Sequence, residues 1–240
     1  EFWEKLAPHY SEQYNLYRDV PGLKEKIFSL IGENSSVLDL GCGSGNFTIP
    51  LAPRCREILA LDFSPAMLDQ LTLKIRENGI SNVRTVCSKW EDFSKPWDAD
   101  YVLAVNSLYR VCYMREALKK IALYGRKGFV IVRTLLKPLM YSIYEDLGLN
   151  YRRNNDYMLM PLMLWDMGIH ANVEFMEYTR TCTYENREKV EAEMIRDLGE
   201  LSYMNFNNQL EEKFLHTAEK KNDGYHYISR RVVQMIWYSN

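Results

Sequence analysis

The sequence predicts an α/β fold with a mostly parallel sheet, on three observations. From residue 37 to about 134, short apolar runs alternate with helix-like stretches. The first run, Val37-Leu38-Asp39-Leu40, ends in a glycine-rich turn at 41–45. Two later segments, 171–181 and 231–238, alternate apolar and polar residues with period two, as antiparallel strands do.

Each element can be justified in chain order. Residues 1–31 read as helical and aromatic-rich, with Phe2, Trp3, Tyr10, Tyr14 and Tyr17 in an arm that Pro21-Gly22 interrupts. Strands are expected at 37–40, 58–62, 83–87, 99–105 and 128–133. The stretch after the glycine turn reads as helix, since Pro50 is tolerable only near a helix start. A second helix begins after Ser64, with Pro65 at its first position, and runs to a glycine cap at Gly79. A third covers about 115–123. Residues 157–168 form a methionine-rich helix, and residues from Asn186 to about Leu201 form a charged one.

Composition narrows the classes. The chain has 240 residues, 47% of them hydrophobic, enough for one α/β domain with a sizeable core plus an appendage. A net charge of −2 gives no global reason to expect nucleic acid or an anionic membrane. No apolar run approaches a membrane span. The first residues do not look like a signal peptide, so the expected location is cytoplasmic. Five cysteines and four histidines are scattered without CxxC, HExxH or HxH spacing, which indicates reduced thiols and no metal site.

The glycine turn carries most of the chemistry. Gly41, Gly43 and Gly45 remove every second Cβ, so the backbone can turn sharply and lie close to a ligand. Asp39 interrupts a buried strand, which is costly unless the carboxylate has a partner. The spacing is D-x-G-x-G-x-G, and Asn46 stands where a dinucleotide fingerprint would place its third glycine. This turn resembles motif I of the class I S-adenosylmethionine (SAM)-dependent methyltransferases. The phrase Leu61-Asp62-Phe63-Ser64-Pro65-Ala66-Met67-Leu68 resembles motif II of the same family. The resemblance is specific over roughly residues 25–135 and covers the rest by architecture.

The resemblance implies a seven-stranded, mostly parallel sheet with helices on both faces, a reversed C-terminal β-hairpin and a helical cap. The whole chain, 1–240, would be a single methyltransferase domain. Its N-terminal arm, 1–22, resembles the lid of small-molecule methyltransferases; plain packing of its aromatics is the alternative. The segment 135–170 would be a cap and substrate insertion, its methionines lining a pocket or burying against the arm. The implied cofactor is SAM, with S-adenosylhomocysteine (SAH) as product.

Cofactor contacts are expected from Asp39, Gly41, Cys42, Gly43 and Gly45, and from Asp62, whose carboxylate can accept both ribose hydroxyls. Phe63 and Met67 would lie by the adenine, with Ser88, Lys89 and Trp90 in the neighbouring loop and Asn106 at the end of the fourth strand. An acid usual after the third strand is replaced by Ser88, and Trp90 could stack on adenine or cap the sheet edge. Asn106 lacks following prolines, which speaks against adenine or glutamine nitrogen as acceptor. Expected acceptor-side residues are Tyr10, Tyr14, Tyr109, Arg110, Tyr113 and Met163. No general base stands out; Tyr14, Tyr109 and His170 are the candidates. The leading expectation is a methyltransferase acting on a small molecule, as a monomer or homodimer. An RNA or protein methyltransferase, or a non-catalytic SAM-binding subunit, are the alternatives.

Overall fold

In a computed structural model of the chain, residues 16–94, 97–109, 111–135, 137–151 and 156–240 are described. Residues 1–15 of the expected lid arm lie outside them. The chain divides into two compact units. The first contains residues up to 133, 156–176 and 233–240; the second contains 134–155 and 177–232. The segment 135–170 is thus shared between them.

The sheet order is β3-β2-β1-β4-β5-β8-β6, with a short β7 off this path on β8. Its parallel part comprises β1 (Ser36–Leu40), β2 (Glu57–Asp62), β3 (Val83–Cys87), β4 (Ala99–Val105) and β5 (Gly125–Thr134). All five fall within a few residues of the expected positions. β1 is buried at every residue, the signature of a strand covered on both faces. The order reverses between β1 and β4, so the carboxyl ends of these strands flank the crevice where doubly wound sheets take ligands.

β8 (Gly224–Ser239) runs antiparallel to β5: Asn240 N–H donates to the Lys127 carbonyl, and Leu135 N–H donates to the Val232 carbonyl. β6 (Asn172–Tyr184) shows the expected alternation of half-buried and exposed residues. Both strands outrun their expected lengths. In β8 the period-two burial extends back through Tyr225, Tyr227 and Ser229, all buried. β7 (Glu219–Lys221) pairs antiparallel with the start of β8 and makes the sheet eight-stranded.

In the first unit, helices α1 (Leu16–Asp19), α2 (Leu23–Leu30), α3 (Thr48–Leu51), α4 (Pro65–Glu77), α5 (Met114–Tyr124) and α7 (Leu159–Asp166) accompany the parallel strands. α3 is a single turn followed by a 3₁₀ turn at Ala52–Arg54, because Pro50 and Pro53 cannot donate to the helical ladder. α4 starts as expected: Ser64 Oγ accepts from Met67 N–H, and Gly79 ends the helix at φ 63°. The main core joins Leu38, Leu40, Leu59, Leu61, Val102, Leu118, Ile121, Phe129 and Ile131. α7 places Met160 and Leu164 in the same core.

The second unit has its own core, built on Tyr144, Tyr184, Met194, Leu210, Phe214 and Tyr227. It contains α6 (Tyr141–Asp146), α8 (Arg187–Leu198) and α9 (Glu200–Thr217). Asn186 caps α8 by accepting from Lys189 N–H, and Gly199 at φ 82° separates it from α9.

Candidate cofactor and acceptor site

The glycine turn is shaped by its neighbours. Gly41 and Cys42 both donate N–H bonds to the Leu61 carbonyl, at 2.7 and 3.0 Å, which clamps the turn to the end of β2. Gly41, Gly43 and Gly45 all have positive φ. A Cβ on Gly41 would stand 2.2 Å from Ser107 Cβ, so the turn lies directly against the exit of β4. A Cβ on Gly45 would meet Leu71 of α4 at 2.5 Å. The turn is therefore tight on both sides for separate reasons.

Two carboxylates sit beside it. Asp39 is 2% exposed and accepts a short hydrogen bond from Thr48 Oγ1, the partner its buried position demands. Burial pushes its carboxyl up to about 7; the Thr48 bond opposes this and the neighbouring Asp62 adds to it. Asp62 closes β2 and is also buried. Its Oδ2 accepts from Gly43 N–H and its Oδ1 from Ser64 N–H, each at 2.9 Å. Burial raises its pKa and these backbone bonds oppose the rise. One oxygen thus holds the glycine turn and the other the start of α4, and each retains acceptor capacity. Lys74 Nζ near the turn donates to the Ser44 carbonyl.

The remaining expected residues fall into three groups. Phe63 is 51% exposed beside Asp62 and offers an open aromatic face. Ser88 is half-buried with its hydroxyl bonded to the Lys89 carbonyl, and Lys89 is exposed. Cys42, Met67 and Trp90, by contrast, are spent on the interior. The Cys42 thiol joins Ala60, Leu68 and Leu71, and burial raises its pKa well above normal. Met67 is 2% exposed at the start of α4. Trp90 is buried in the main core: its Nε1–H donates to the Ala117 carbonyl, and its ring packs against Phe93, Tyr124 and the Lys120 ammonium.

At the acceptor side, Asn106 follows β4 at φ 50°, an uncommon conformation for a residue other than glycine. Its backbone N–H donates to the Val132 carbonyl, and its Oδ1 accepts from the Tyr109 hydroxyl. Tyr113 is largely exposed and His170 is exposed. Met163 packs against the main core. Tyr10, Tyr14 and Arg110 lie outside the described residues.

A narrow cleft opens beside Asn106, and Ser107, Tyr109, Ile131, Met160 and Arg133 line it. Arg133 is the residue that sequence reasoning passed over. It is 4% exposed, and its guanidinium lies 5.7 Å from the Tyr109 ring centroid. Its signal was present in the sequence: a cation ends the apolar run Phe129-Val130-Ile131-Val132.

The donor set fits SAM: two carboxylates for an ammonium and for ribose hydroxyls, a glycine turn without a phosphate-binding lysine, and an exposed aromatic face. SAM supplies the activated methyl when bound.

Comparison with known proteins gives the same answer. A family model for the methyltransferase domain matches residues 37–128. An uncharacterized protein of Haemophilus influenzae is 28% identical over 208 residues, 83% of this chain and 75% of its own length. A tRNA/tmRNA (uracil-C(5))-methyltransferase of Pseudomonas entomophila is 39% identical over 69 residues, 28% of this chain but only 19% of that protein. The solved structure of a DhpI–SAH complex aligns with a TM-score of 0.55 at 18% identity, covering 72% of this chain and 87% of that one. Residues 37–128 thus carry a methyltransferase domain, and the strand order and the two acidic motifs around the glycine turn are those of the class I SAM-dependent methyltransferase fold.

Proposed function

We propose that the enzyme moves the SAM methyl group onto a small-molecule acceptor bound in the cleft at the ends of β4 and β5. The observation that carries this reading is the wall of that cleft, where Asn106, Ser107 and Tyr109 lie beside the apolar side chains of Ile131 and of Met160 from α7. Methyl transfer from a sulfonium is an in-line displacement, so alignment and exclusion of water are what the protein must supply. Gly41, Gly43 and Asp62 would hold the cofactor, with Asp39 near its ammonium and Phe63 against the adenine. Tyr109 and Asn106, joined by their hydrogen bond, would orient the acceptor.

An RNA acceptor is the second reading, favoured by the local likeness to the tRNA/tmRNA enzyme. A net charge of −2 argues against it, because nucleic-acid binding draws on clustered cations. Incubating the protein with methyl-labelled SAM and a cell extract, then separating small molecules, RNA and protein, decides between them. Label in the small-molecule fraction is expected. Label confined to RNA or protein would overturn this reading, and protein without turnover on any fraction would favour a cofactor-binding subunit.

A further inference from the structure

We propose that two copies of this chain associate through the outer face of α7. The helix and the turn before it read Tyr157-Met158-Leu159-Met160-Pro161-Leu162-Met163-Leu164-Trp165, an unbroken apolar run. A helix on the surface of a single chain turns polar residues outward; one that is apolar on every side is covered on every side. The inner side of α7 has its cover, since Met160 and Leu164 are buried in the main core. The outer side has none among the described residues: Met158, Leu159, Leu162 and Trp165 are each about half exposed. Met158, Leu162 and Trp165 follow one another at intervals of four and three, so they form one stripe along the helix. The start of β6 extends it. Phe175 is about half exposed and meets the Tyr157 ring edge-on, with centroids 6.2 Å apart, and Trp165 Nε1–H donates to the Ala171 carbonyl at 2.9 Å.

Area and charge select a second copy as the occupant. These half-exposed side chains leave on the order of 500 Å² of apolar surface in one patch, at the upper end of what a monomer exposes. A standard interface of about 800 Å² per partner needs about that much apolar area. Across a twofold axis the same face meets itself, so unbalanced charge on it would repel its copy. Here Asp166 is paired with Arg115 at 2.6 Å and Glu174 with Lys26 at 3.1 Å. An anionic membrane is the poorer match, because residues 156–176 contain no lysine or arginine to meet lipid headgroups. The inner side of the same helix puts Met160 into the wall of the cleft beside Asn106, so the second copy braces that wall from behind.

Sedimentation equilibrium of the unaltered protein over a range of concentrations, without cofactor or acceptor, tests this. A species of twice the chain mass is expected at micromolar concentration. Leu162→Glu puts a charge in the middle of the stripe and should weaken the dimer roughly a hundredfold or more, while thermal melting of the monomer stays cooperative. Leu73→Glu changes an equally exposed leucine on α4, which packs on β2 and β3, and should leave the dimer intact. A monomer at every concentration would overturn the inference, whether the stripe is then covered by residues 1–15 of the chain or by vesicles of phosphatidylserine and phosphatidylcholine. A dimer that Leu162→Glu leaves intact would overturn it too, by placing the interface elsewhere. The unaltered protein decides the first point even if Leu162→Glu fails to fold, and Leu159→Lys then repeats the second from the neighbouring position on the helix face.

Discussion

Asp39 shows how one buried group links the cofactor site to pH. Its carboxyl titrates at about 7 in the folded chain, against about 3.9 in an unfolded one. Between these values the folded state holds the extra proton, so stability falls as pH rises from about 4 through 7 and stays lower above. The size is on the order of 4 kcal/mol. Asp39→Asn should flatten this slope, so that urea melts at pH 5 and pH 8 differ less than in the parent. An unchanged difference would refute the assignment. A cationic ammonium beside Asp39 favours the ionised form, so SAH should bind more tightly at pH 8 than at pH 6, with proton release measurable in buffers of different ionisation enthalpy.

Gly41 tests the turn at the same scale. Gly41→Ala would combine a φ of 70° with a Cβ set 2.2 Å from Ser107 Cβ. About 1–3 kcal/mol of stability should be lost to the conformation alone, and SAH affinity should fall as the turn shifts. A variant with parental stability and affinity would show that the turn has slack the geometry denies.

These residues also show what the sequence made legible. Gly41, Gly43, Gly45, Asp39 and Asp62 could be placed because spacing around a strand end restricts where a carboxylate and a bare backbone go. Trp90 could not, because nothing in its local pattern distinguishes an aromatic that faces a ligand from one buried against Phe93 and Tyr124. Arg133 was missed because a charge ending a strand usually marks the surface, whereas here β5 continues one residue further and keeps it buried.

Among the elements, β2, β4 and β5 were readable because both faces are covered, giving apolar runs of four or five residues such as Ile58–Leu61 and Phe129–Val132, whereas β3 at the sheet edge is largely exposed. α3 was overestimated, since Pro50 and Pro53 end it after one turn. β8 was underestimated, because its first half carries tyrosines and arginines rather than aliphatic residues. Ser64 offers a direct check on a predicted helix start: Ser64→Ala should cost about 1 kcal/mol through loss of the α4 cap, measured by thermal melting. Asp100 anchors the opposite end of β4. It is buried, yet the Ser36 N–H and the Arg126 and Lys127 cations hold its carboxyl well below the usual range against the opposing effect of burial. Asp100→Asn should therefore destabilise the protein at pH 7 by about 2 kcal/mol, with no loss of SAH affinity in the folded fraction.

For the whole molecule, the fold class followed from alternation and from the reversed C-terminal strands, while the second compact unit did not. Its core is tyrosine-rich and assembled from 134–155 and 177–232, segments far apart in sequence with no common period to announce them. The described residues contain no helix long and apolar enough to cross a membrane. Cofactor binding should stabilise the folded protein by about 2.7 kcal/mol at a hundredfold excess of SAH over its Kd.

The central claim is that Gly41–Gly45 and Asp62 form a SAM site, and calorimetric titration with SAH tests it most directly. The unaltered protein should bind with micromolar affinity, and Asp62→Ala should weaken that by tenfold or more, about 1.4 kcal/mol. No binding by the unaltered protein, or equal binding by the variant, would contradict the account.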